Sequence, residues 1–181
     1  MQRTVSELSI TVVGLLLSFG LTGCSGSDDN SQSVGQAAER AAAAATGSVD
    51  ACALVTLSEI ADIVGNPVLE GRAYAGPEVC QWQTENTDHV SVLLTAHTAG
   101  SIRAEVLCDD LSAVIDSGEP VTDLGDKATF KFSGVAGMFD SGDLAACGAE
   151  GFVSVSLNGK KDEDPMKEAA IALTRMVFSR L

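Results

Sequence analysis

The chain is short of positive charge and of histidine. Eleven Lys and Arg stand against 25 Asp and Glu, for a formal charge of −14 over 181 residues, with two His in all. A surface this acidic repels nucleic acid and anionic lipid headgroups, so no nucleic-acid partner is expected. The two histidines, His89 and His97, flank the strand expected over 90–96 and share parity. Eight residues of strand span about 26 Å, too far for one metal ion. No Cys-x-x-Cys occurs, which argues against a zinc ribbon or a thioredoxin-like site. Gly-x-Ser-x-Gly, Ser-x-x-Lys, Walker, Gly-x-Gly-x-x-Gly and His-Glu-x-x-His patterns are all missing. No repeat of solenoid length appears. Catalytic residues, metal ligands and cofactors are therefore not assigned.

What is present begins at the amino terminus. Arg3 precedes an apolar run from Leu8 to Leu21, diluted by Thr11, Gly14, Ser18 and Gly20. A membrane span needs roughly 20 apolar residues, and this run is shorter. Leu21-Thr22-Gly23-Cys24 closes it and resembles a bacterial lipobox, the signal for lipid attachment to exported proteins. Residues 1–23 then form a lipoprotein signal peptide, and Cys24 becomes the lipidated first residue. The alternatives are an uncleaved amino-terminal helix and ordinary cleavage near residues 20–23. Each buried methylene contributes about 0.8 kcal/mol, and one acyl chain holds only marginally. The two or three chains that the resemblance implies would hold firmly. Removing the signal takes one base, Arg3, and one acid, Glu7, so the charge stays at −14. Membrane affinity must come from lipid on Cys24 rather than from a basic patch.

Four cysteines remain beyond Cys24: Cys52, Cys80, Cys108 and Cys147. An even number in an exported chain favours two disulfides. Of three possible pairings, Cys52–Cys80 with Cys108–Cys147 is favoured, because each joins elements near in the chain.

Residues 24–49 are rich in Ser, Gly, Asp, Asn, Gln and Ala, and read as a flexible tether. The alanine-rich patch at 36–45 has high helix propensity but is short for an isolated helix. As coil the tether spans about 25–30 Å.

Residues 50–181 read as one folded domain. Thr56 or Ser58 caps a helix with Leu57, Ile60, Ile63 and Val64 on one stripe, stopped by Gly65 and Pro67. Strands are expected over 79–84 and 90–96 as an antiparallel hairpin, with Cys80 and Trp82 on one face. A helix is expected from Ser101 to about Asp116, burying Ile102, Val106, Leu107, Leu111, Val114 and Ile115. A turn at Gly125-Asp126 then leads to a strand ending at Phe132. Ser133-Gly134 reads as a bend before a short strand over 135–139. Residues 140–143, Asp-Ser-Gly-Asp, read as a polar loop; loose Ca²⁺ binding is the less favoured reading. Residues 152–157 alternate as a strand, Asn158-Gly159 turns the chain, and a last helix starts near Asp164-Pro165. The fold class predicted is α+β, with helices packed on one face of a mostly antiparallel sheet.

Cys52-x-Leu54-Val55, Cys80-x-Trp82 and Leu124-Gly125-Asp126-Lys127-Ala128, in this order before a terminal amphipathic helix, resemble a family of actinobacterial exported lipoproteins carrying a domain of unknown function. The resemblance covers about residues 50–181. It implies a cell-envelope address and a disulfide between Cys52 and Cys80, and no established enzymatic role. Cys108 and Cys147 fall outside its minimal pattern.

The function expected is that of a lipid-anchored protein on the extracytoplasmic face of the cell membrane. Its domain is expected to bind an envelope protein or a small ligand without catalysis. The alternatives are a carrier with an apolar pocket between sheet and helices, and, more remotely, a hydrolase.

Overall fold

The structure, a computed structural model, describes residues 48–85, 91–135, 139–159 and 161–181. The signal segment, Cys24, most of the tether and His89 lie outside the described residues. The element order is a 3-10 turn (Ala51–Ala53), α1 (Leu57–Val64), β1 (Arg72–Ala73), β2 (Val79–Gln83), β3 (Ser91–Thr98), α2 (Ile102–Asp109), a second 3-10 turn (Leu111–Ala113), β4 (Glu119–Pro120), β5 (Lys127–Val135), β6 (Phe139–Gly148), β7 (Gly151–Gly159) and α3 (Glu163–Phe178). The strands form one sheet in the order β1-β2-β3-β7-β6-β5-β4. Every pairing in it is antiparallel. The architecture is the expected α+β single domain.

Alternation along the strands sorts side chains between two faces. Trp82, Val92, Leu94, Phe130, Leu144, Val153, Val155 and Leu157 point to one face and are buried there with Ile60 and Val64 of α1 and Met166, Ala170, Leu173 and Val177 of α3. Burying each large side chain of this kind contributes about 1.5–3 kcal/mol relative to exposure. Gly142 lies under α3. A Cβ there would sit 3.0 Å from Met166 Cβ and 3.2 Å from the Phe130 ring, so glycine admits the helix. The opposite face carries a smaller cluster of Ala145, Cys147, Phe152, Ala104 and Ile115. Through it α2 covers one end of that face.

Local chemistry explains the helix ends. Thr56 and Glu59 make a reciprocal capping box at α1, and Gly65, at φ 72°, ends it in the left-handed conformation. Ser101 caps α2 by accepting from Ala104 N–H. Val49, placed in the tether by composition, is partly buried against the main core, so the packed domain begins slightly earlier.

Five details depart from the sequence reading. The helix from Ser101 stops at Asp109, because Asp110 leaves helical geometry and its carboxylate caps the next 3-10 turn. Ile102 and Val106 are 81% and 64% exposed rather than buried, and Ala104 takes the inward position. Ser133-Gly134 is no bend: β5 runs through it in unbroken register with β6. Residues 140–143 are no loop but part of β6, and Asn158 and Gly159 are the last residues of β7.

Candidate functional site

The described part of the molecule offers three places for chemistry: the disulfides, the uncovered part of the second sheet face, and a groove beside α1.

Cys52 bonds to Cys80 and Cys108 to Cys147, with Cα separations of 5.0 and 5.7 Å. The first ties the 3-10 turn at Ala51–Ala53 to β2 inside the main core, where Cys80 is fully buried. The second clamps the end of α2 onto β6. Both lie within the range of an unforced bridge. The turn at Gly125-Asp126 supports the second. Gly125 has φ 64°, and a Cβ there would lie 2.3 Å from the Cys147 carbonyl oxygen. Asp126 N–H donates to that same oxygen at 2.7 Å. The Leu-Gly-Asp stretch is thus a structural turn against the clamp, with Leu124 buried beneath it.

Beyond α2 the second face is a polar ladder. Ser91 stands beside Asn158 and then Ser141, and Leu93 beside Ser156 and then Asp143 and Lys131. Ser156 Oγ donates to Asp143 at 2.5 Å, and Ser141 Oγ reaches the other carboxylate oxygen at 3.4 Å. Asn158 Nδ2 donates to Ser91 Oγ at 3.4 Å. The residues expected to form a loop at 140–143 are therefore strand residues of this ladder, which is why a calcium loop does not form there. The signal was present as alternation: Ser141 and Asp143 outward, Gly142 and Leu144 inward. Ser156 and Asn158 carry the same pattern on the next strand.

Among the described residues no hydrolytic triad is assembled on this face. His97 pairs in register with Phe152, its ring centroid 6.1 Å from the phenyl ring. Phe152 lies four residues from Ser156, about 14 Å along the strand. Burial lowers the His97 pKa from its ordinary value; Glu78 opposes the shift and Arg103 adds to it. The carboxylates singled out elsewhere have structural partners or places. Asp110 bonds Ser112, whose hydroxyl holds its pKa low. Asp162 stands at the start of α3 with Glu163 and Asp164 in its first turn, where carboxylates offset the helix dipole. Among the described residues no group of three or more His, Cys, Asp or Glu is placed to hold a metal ion.

The groove, of about 330 Å³, lies between the end of α1 and α3, lined by Ile63, Val64, Gly65, Lys161, Pro165, Glu168, Ala169 and Ala172. Lys161 Nζ donates to the Val64 carbonyl and satisfies the exposed end of α1. The groove is open to solvent and lies outside the sheet–helix core. Trp82, the sole tryptophan, is packed in that core at 2% exposure.

Comparison with protein families, curated proteins and solved structures finds no match. Among the described residues no helix is long and apolar enough to cross a membrane.

Proposed function

We propose that the protein is a lipid-anchored component of the cell envelope, attached through Cys24, with its α+β domain held outside the cytosol by a short tether. In this reading the domain binds another envelope protein or a small polar ligand and performs no catalysis. The observation that carries it is the conjunction of Leu21-Thr22-Gly23-Cys24 with two disulfides that use every other cysteine of the chain. Such bridges persist in oxidising compartments, where thiol reductants do not reach them. The resemblance to exported lipoproteins supports the same address.

A carrier of apolar ligands is the less favoured reading. Trp82, Phe130, Leu94 and Leu144 fill the space between sheet and helices to 2% exposure or less. The polar ladder around Asp143 and Ser156 suits a hydrogen-bonding partner better than an apolar one.

Growth of the producing cells with a clickable fatty acid tests the reading. The wild-type chain should incorporate the label and Cys24→Ala should lose it. Equal labelling of the two, or none in the wild type, would refute the anchor.

A further inference from the structure

β5 is nine residues long, yet β4 flanks only its first half. Glu119 stands opposite Phe130 and Pro120 opposite Thr129. Ser117, at φ 59°, leads the chain in through Gly118 just before. Among the described residues no strand pairs with 131–135 on that side.

The direction of the open backbone groups follows from the ladder. Val121 N–H donates to the Ala128 carbonyl, so even-numbered residues of β5 aim their N–H and C=O groups toward β4. Phe132 and Gly134 continue that alternation past the end of β4, where no described strand meets their groups. Sheet edges are usually blunted by proline, a bulge, charge or a covering element. Here 131–135 hold no proline and no bulge, and one lysine.

We propose that this half-strand pairs with its counterpart in a second copy of the chain, antiparallel about a twofold axis at Ser133, joining the two sheets. In that register Phe132 lies opposite Gly134 of the second copy, and the reverse, in two hydrogen-bonded pairs. An aromatic ring laid over a cross-strand glycine is a favourable pair, and Phe132 is only partly buried in one copy. Lys131 falls opposite Val135, so no like charges meet across the axis. Lys131 also keeps Asp143 as its neighbour on β6. Phe139, exposed at 61%, lies two strand spacings, about 10 Å, from Lys131 of the second copy. The match is self-limiting. Beyond five residues, β4 of one copy or of the other already occupies the edge at Phe130, which gives a closed dimer and not a fibre.

Few backbone bonds hold such a pair, and two copies at −14 repel each other once they approach within a Debye length. Confinement of tethered copies to one surface offsets this by raising their effective concentration; that clause rests on the proposed anchor.

Cysteine crosslinking of the full chain in intact cells tests the pairing. Residues on the twofold axis form a non-hydrogen-bonded pair with Cα atoms about 4.5 Å apart, inside the disulfide range of roughly 4.4–6.8 Å. Ser133 is exposed, so Ser133→Cys spares the core. Under mild oxidation Ser133→Cys should give a covalent dimer at least tenfold above exposed Ser112→Cys. Lys131→Cys should stay at the control level, its Cα atoms being about 14 Å apart. More salt should raise the Ser133→Cys yield. Dimer no more abundant than with Ser112→Cys, or an adduct with a different protein, overturns the proposal. Fatty-acid labelling of the same cells separates the two ideas. Label without dimer ends the pairing and leaves the anchor; dimer without label does the reverse.

Discussion

Arg180, next to the carboxyl end, grips Glu59 in the first turn of α1. Its Nη2 donates to Glu59 Oε1 at 2.5 Å and its Nη1 to Oε2 at 2.9 Å, and Nη1 also donates to the Leu54 carbonyl. Thr56 N–H and Oγ1 donate to the same Oε2 at 2.9 and 2.8 Å. One carboxylate therefore closes the α1 cap and fastens the end of the chain to it.

That arrangement makes stability depend on pH in a defined direction. The Arg180 guanidinium foremost, then the Thr56 N–H and hydroxyl, lower the Glu59 pKa from 4.5 to about 2. A folded-state pKa below the unfolded one adds stability that is complete above 4.5 and disappears as pH falls toward 2. Arg180→Gln should lower the urea midpoint at neutral pH. The difference from wild type should shrink between those two pH values. A difference that is constant across that range would contradict the assignment.

Gly71 lies against the indole of Trp82. A Cβ at residue 71 would come within 2.4 Å of Trp82 Nε1, 2.6 Å of Cε2 and 2.8 Å of Cys80 Sγ. Ring and disulfide are both stiff, so neither can step aside. Gly71→Ala should cost about 1–3 kcal/mol. Denaturant unfolding followed by Trp82 fluorescence measures it, and an unchanged midpoint would count against the packing.

Thr174 is fully buried in α3, and its hydroxyl has no hydrogen-bond partner among the described residues. A buried hydroxyl without a partner carries its desolvation cost in the folded state. Thr174→Val, nearly isosteric, should stabilise the protein by about 1 kcal/mol. Calorimetry should show a higher Tm; a lower one would mean that the hydroxyl has a partner.

α2 buries Ala104 alone among its residues and leaves Ile102 and Val106 in solvent. Packing gives it little hold on the sheet, so the Cys108–Cys147 bridge should supply most of it. Replacing both cysteines by alanine should cost about 2–4 kcal/mol for a loop of this length. Hydrogen exchange should accelerate most over α2. Uniform acceleration across the sheet would contradict a local clamp.

The elements with strong local signals were legible in the sequence. Thr56, Glu59 and Gly65 bracket α1 by capping chemistry, and the parity of Cys80 and Trp82 puts both on one face, the one the structure buries. The second half of the sheet was harder. Gly134, Asp140, Gly142 and Asp143 are turn-forming types, and they suggested breaks where a hairpin runs straight. Small polar residues are tolerated there because that face is open to water, and Gly142 is needed because α3 crosses close above it. Ile102 and Val106 match a helical stripe, but α2 turns Ala104 and Cys108, one turn apart, to the sheet. The polar ladder is not legible in the sequence because its residues come together only through strand register. The lipid site at Cys24 rests on sequence alone.

Intact-mass spectrometry of the protein purified from its own cells tests the central claim most directly. The account predicts a chain that begins at Cys24 and carries diacylglycerol with or without a third acyl group. It should gain four hydrogens on full reduction, two for each bridge. A mass that retains residues 1–23, or that begins at Cys24 without lipid, would contradict the account.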